Sequence, residues 1–189
     1  MSSAGGLARR KDARRNREAI LSAARAMFAE SGDVALYEVA RRAGVGQATL
    51  YRNFQDRETL VAALAENSIA ELERVGVEHA DDPRGFFVLL EAMVESAVRF
   101  HGLFDCAQQS AAEAGGLEPL HERLTALIEP PLRKAKAARL VRRDLGVGDV
   151  FLLIGMVEGA LRREPDPAGR GAAASRVLAL ALDGLAPRS

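Results

Sequence analysis

Residues 39–60 read VARRAGVGQATLYRNFQDRETL, and the placing of apolar residues and glycines in this stretch decides the fold. Leu36, Val39, Ala40 and Ala43 recur at helical spacing, and Gly44 ends the run because glycine tolerates the left-handed position after a helix. Beyond the tight Gly44-Val45-Gly46 link a second short segment runs from Gln47 to Phe54. Leu50 and Phe54 lie one turn apart in it and face inward. Two short helices joined by a three-residue turn make a helix-turn-helix.

Upstream, Ile20, Ala23, Ala24, Met27 and Phe28 mark the buried face of a helix ending near Ser31-Gly32. Downstream, Asp56 is a good N-cap, Glu58 complements the helix dipole, and Leu60, Leu64, Leu72 and Val75 continue a long helix to about Glu78. Residues 17–60 therefore form a three-helix unit. In front of it, residues 1–16 are expected to be a flexible basic arm, with Arg9, Arg10, Lys11, Arg14 and Arg15 and few apolar anchors.

Residues 61–189 read as helices separated by breakers. Asp82-Pro83 caps and starts one whose face is Phe86, Leu90, Met93, Val94, Ala97 and Phe100. A short one spans Leu103–Ala114, and Pro119 opens another that must kink or restart at Pro130-Pro131. Asp149 is expected to cap Val150–Arg163, and Val177, Leu178, Ala181, Leu182 and Leu185 face inward on the last helix. The fold class is all-α, about nine helices: a small N-terminal domain and a larger C-terminal one.

Hydrophobic residues form 48% of the chain and aromatics 5%, a balance that favours helix over strand. The formal net charge is zero, but residues 1–60 carry 11 Lys/Arg against 7 Asp/Glu and residues 61–189 carry 15 against 19. A basic head on an acidic body suits an anionic polymer bound at one end. The single cysteine, Cys106, cannot form an internal disulfide, and no secretory leader opens the chain. The longest uncharged apolar stretch, Val150 to Val157, is too short to span a bilayer. The expected location is the cytoplasm, with no membrane partner.

On the helix from Gln47, the outward lines are Gln47 with Tyr51 and Ala48 with Arg52, flanked by Thr49 and Asn53. In a major groove Gln47 suits the edge of an adenine and Ala48 a thymine methyl. The hydroxyls of Thr49 and Tyr51 and the amide of Asn53 suit phosphate oxygens, and Arg57 adds a cationic contact.

The runs ILSAARAMFAESG (20–32) and 39–60 resemble the N-terminal DNA-binding domain of the TetR (tetracycline repressor) family. The resemblance implies that Gln47, Ala48, Thr49, Tyr51, Asn53 and Arg57 occupy DNA-contacting positions, with Tyr37 reaching from the preceding helix. Four positions depart from the family's habit. Val34-Ala35 replaces a threonine at the start of helix two, Gly46 a serine before the recognition helix, Asn53 a histidine and Arg57 a lysine. These leave the fold intact and leave the operator sequence open.

The resemblance also implies a dimer formed by the last two helices, consistent with Gly155 and Gly159 sharing a helical face that another backbone can approach. Gly155, Met156, Gly159, Val177, Leu178 and Leu182 are the expected interface. An effector pocket is expected among Met93, Phe100, His101, Phe104, Leu124 and Leu127. Expected partners are an operator in double-stranded DNA, a second copy of the chain and a small-molecule effector of unknown identity. The expected function is a repressor released by that effector. The alternative is a helix-turn-helix protein that senses no small molecule and is controlled by a partner protein or by abundance. An enzyme is not expected: there is no phosphate-binding glycine loop, no Ser/His/Asp spacing and no HExxH. No cofactor is expected, and His79, His101, His121 and Cys106 have no metal-ligand spacing.

Overall fold

The computed structural model describes residues 3–30, 34–101 and 118–186, with side chains from residue 11 onward except that of 118. Eight helices cover the described residues: α1 (Ser3–Glu30), α2 (Leu36–Arg42), α3 (Gln47–Asn53), α4 (Arg57–Glu78), α5 (Gly85–Arg99), α6 (Glu118–Ala137), α7 (Val147–Arg163) and α8 (Pro167–Leu185). No strand occurs among them. The expected helix at 103–114, with Phe104 and Cys106, lies outside the described residues.

Two buried clusters form the cores. The smaller gathers Ile20, Ala24, Phe28, Val39, Leu50, Phe54, Leu60 and Leu64 from α1 to α4. The larger gathers Phe86, Leu90, Met93, Ile128, Leu132, Val157 and Leu161 from α5 to α7, with Ala174 of α8. Helix α5 is the hub of the larger cluster and packs against α1, α4, α6, α7 and α8.

Several chain breaks follow from local chemistry. Gly44 adopts φ +67°, and the N–H groups of Gly44 and Val45 donate to the carbonyls of Arg41 and Ala40 at 3.2 and 3.0 Å. This paired closure satisfies the last carbonyls of α2 and turns the chain toward α3. Asp56 Oδ1 accepts from the Thr59 N–H at 2.7 Å and caps α4 as expected.

Four sequence expectations are corrected. The basic segment expected to be a flexible arm lies within α1, which starts at Ser3. Its Ala, Leu, Arg and Lys residues have high helix propensity, and Arg14 pairs with Glu18 one turn on at 2.8 Å. Asp149 is not the cap of α7 but its third residue. The helix starts at Val147, and Asp149 Oδ2 accepts from the Gly146 N–H at 2.7 Å. Helix α6 does not restart at Pro130 and Pro131 but runs on through them, so the cost of the two missing N–H groups is borne within a helix anchored on both sides by buried Ile128 and Leu132. Asp82 caps a turn, accepting from the Arg84 N–H at 2.8 Å, and α5 begins at Gly85.

Polar links tie the layers together. Arg123 of α6 forks onto Glu66 and Glu73 of α4, both at 2.8 Å. Glu71 of α4 lies 3.7 Å from Arg25 of α1 and 3.6 Å from Arg99 of α5.

Candidate nucleic-acid interface

Helix α3 is held from behind. Leu50 and Phe54 are fully buried, and burying such side chains contributes about 1.5–3 kcal/mol each. The Arg17 guanidinium of α1 covers the Phe54 ring at 4.6 Å, adding a cation–π contact at the C-terminal end of α3. The N-terminal end has no comparable fastening. Gly46 is extended at the N-cap position and has no side chain to offer. Helix α2 likewise starts at Ala35 without a side-chain cap.

With the inward residues fixed, the outward ones form a row. Gln47, Ala48, Tyr51 and Arg52 are exposed on α3, and on α2 Tyr37 has 55% of its surface open against 49% for Tyr51. Two bulky aromatics left in solvent on neighbouring short helices are the surface to explain, since either would stabilise the small core if turned inward. The Tyr37 hydroxyl lies 3.5 Å from Glu38 Oε1.

The remaining expected residues are engaged locally. Arg52 donates from Nε to the Ala48 carbonyl at 3.1 Å and from Nη2 to Thr49 Oγ1 at 3.0 Å. Asn53 is half-buried and donates from Nδ2 to the Thr49 carbonyl at 2.7 Å. Arg57 is set back from the row, its guanidinium 5.4 Å from the Phe28 ring centroid. Arg42 fixes α2 against α1 by a two-pronged contact with Glu30 at 3.0 and 3.1 Å. That contact holds the Glu30 carboxyl below its ordinary range, through the hydrogen bonds first and the charge second.

The described apolar residues expected to line an effector pocket are divided between the two buried clusters. Met93 is buried in the larger core, with Leu124 and Leu127 packed against it. Phe100 belongs instead to the smaller core, where the Arg25 guanidinium lies 5.8 Å from its ring centroid. His101 is half-buried directly after α5, and Phe104 lies outside the described residues. A groove of about 420 Å³ between α4 and α5, walled by Ser68, Glu71, Arg74, Glu95, Ser96 and Arg99, had no signal in the sequence, because polar residues on helix faces read as solvated. No group of three or more metal-ligating side chains occurs among the described residues. No described helix is long and apolar enough to cross a membrane.

Residues 20–64 match the family model of bacterial regulatory proteins of the tetR family, and residues 82–187 match the C-terminal domain of SbtR-like transcriptional regulators. The chain belongs to the TetR family. Helices α2 and α3 are the helix-turn-helix of a DNA-binding transcriptional regulator of that family.

Solved TetR structures agree over more than nine-tenths of the chain. A TetR transcriptional regulator from Streptomyces coelicolor is 30% identical, with a TM-score of 0.71 over 92% of this chain and 99% of its own. A TetR transcription regulatory protein from Mycobacterium vanbaalenii is also 30% identical, with a TM-score of 0.66 over 94% and 98%. The transcriptional repressor LfrR of Mycolicibacterium smegmatis is 38% identical over 71 residues, which span 38% of this chain and 37% of that repressor.

Proposed function

We propose that this TetR-family chain is a repressor that binds a palindromic operator as a homodimer and leaves it when a small-molecule effector occupies the larger domain. Residues 17–60 read DNA, and residues 61–189 sense the effector and dimerise. The protein works in the cytoplasm, where the chromosome lies. The observation that carries this reading is the solvent-facing row of Tyr37, Gln47, Ala48, Tyr51 and Arg52 over the fully buried Leu50 and Phe54. Gln47 and Ala48 read base edges, and the hydroxyls of Tyr37 and Tyr51 hold phosphates, as do Thr49, Asn53 and Arg57 at the margins. The repressor sign follows the partial likeness to LfrR.

The dimer face is α7 with α8. Leu152 and Met156 are 69% and 61% exposed and share a helical line with Gly155 and Gly159. A Cβ added at either glycine would meet no atom within 4 Å, so neither relieves crowding inside one protomer. Together they leave a flat, apolar strip open to a second helix pair. Val177 lines the groove of about 740 Å³ beside that strip. Leu178 and Leu182 lean on the larger core from the same helix, and Leu180, 56% exposed, extends the face.

Occupancy of the larger domain near Met93, Leu124 and Leu127 is read out by α4, to which Arg123 ties α6. Helix α4 starts directly after the recognition helix, so a shift in it alters the spacing of two half-sites and lowers affinity.

Fluorescence anisotropy with duplex DNA from upstream of the protein's own gene tests the reading. Wild type binds and Tyr51→Ala binds weakly; equal binding by both overturns the site. Sedimentation gives twice the monomer mass, and a monomer at micromolar concentration overturns the dimer.

A further inference from the structure

Helix α1 is 28 residues long, and among its described side chains those of the smaller core lie between Ile20 and Phe28. Along one stripe of the helix, at alternating spacings of three and four, stand Leu21, Ala24 and Phe28, all buried. The same stripe continues toward the N-terminus as Arg17 and Arg14, both exposed. The stripe thus turns from apolar to cationic where the core ends. Arg17 marks the junction, with its guanidinium on Phe54 at the end of α3. Lys11 and Arg15, four apart on the neighbouring line, are exposed.

We infer that residues 11–17 of α1 are a second DNA-contacting surface, a cationic rail that follows the phosphate backbone beside the groove read by α3. This rests on the DNA-binding reading above. Lys11 to Arg17 spans about 9 Å, the rise of about three base pairs, so the rail covers a short run of phosphates. Asp12 is the acidic residue of this stretch, and Glu18 follows the stretch directly. Glu18 holds Arg14 in an exposed pair, which yields readily to a phosphate because such pairs are nearly neutral in water. A guanidinium or ammonium at this surface neutralises phosphates without reading bases, so its contribution is independent of sequence and steeply dependent on salt.

The test compares the full chain with a Lys11→Gln/Arg14→Gln/Arg15→Gln variant and with Tyr51→Ala. Anisotropy is measured across a salt series on two duplexes of equal length, one from upstream of the gene and one of random sequence. The triple variant is expected to lose affinity by the same factor on both duplexes. Its slope of log K against log salt is expected to be shallower by about one for each phosphate that is no longer neutralised. Tyr51→Ala instead loses more on the upstream duplex. If wild type binds, Tyr51→Ala weakens it, and the triple variant keeps the wild-type slope and affinity, the rail is overturned alone. If wild type binds neither duplex, the DNA-binding reading falls with it. The substituted side chains are exposed, and an unchanged thermal melt by circular dichroism excludes misfolding as the cause of any loss.

Discussion

Arg170 Nη1 donates to the carbonyl of Ala29 at 2.9 Å across 141 residues of sequence. The bond joins the start of α8 to the end of α1, so the helix proposed to carry the dimer face also holds the first helix of the DNA-reading unit. An end-of-helix carbonyl gains a charged donor, the favourable polarity at that terminus. Arg170→Met keeps the apolar stem and removes the donor. The expected loss is about 1.5 kcal/mol, seen as a fall of about 3–6 °C in melting temperature. Calorimetry checks it.

Gly85 opens α5 against the end of α4, and a Cβ there would lie 2.4 Å from the His79 carbonyl oxygen. That neighbour is backbone and cannot rotate away. Gly85→Ala is expected to cost about 1–3 kcal/mol by forcing the α4–α5 turn apart, whereas Gly148→Ala, with no atom within 4 Å of its added Cβ, is neutral or stabilising. Urea denaturation of the two variants separates them.

Helices α2 and α3 both lack a side-chain N-cap. Ala35→Thr supplies one and is expected to stabilise the protein by about 1 kcal/mol, while Gly46→Ser gains only a few tenths. Chemical denaturation monitored by circular dichroism resolves the first.

Asp56 gives the pH dependence of the linker helix. Its carboxylate accepts from the Thr59 hydroxyl and then from the Thr59 N–H, and these bonds hold its pKa below the ordinary range. The unfolded chain therefore takes up the proton first. The cap's contribution is complete above the unfolded value of about 4 and declines as pH falls through the lower folded value. Asp56→Asn caps without titrating, so its melting temperature is expected to change less over that acidic window than wild type does.

Gln47 is expected to behave as a base-reading residue. Gln47→Ala should lose about 1–3 kcal/mol of preference at one base pair of each half-site and little affinity for random DNA. Selection of binding sequences by wild type and variant checks this, and identical selected sequences would contradict it.

The smaller unit was legible because its apolar residues repeat at helical spacing and its breaks fall on Gly44, Gly46 and Asp56, whose conformations are local. What depended on distant contacts was not. Phe100 continues the period of Phe86, Leu90, Met93 and Ala97 without a break, and periodicity reports that a side chain is buried, not in which core. The helix leaves one core and enters the other at its last turn. The cationic start of α1 lacked apolar spacing, so pattern alone could not distinguish an exposed helix from a coil. Leu152 and Leu180 carry no signal of their exposure, because exposed and buried leucines look alike in a run of apolar residues.

Fixing α3 from behind has an evolutionary consequence. Leu50, Phe54 and Arg17 carry its anchorage, while Gln47, Ala48 and Tyr51 are exposed, where substitutions usually change stability by less than about 0.5 kcal/mol. The lexicon of sequences this protein can acquire is therefore uncoupled from its persistence as a folded chain. A combinatorial library at those three positions should yield new binding preferences on a scaffold that melts where the parent does.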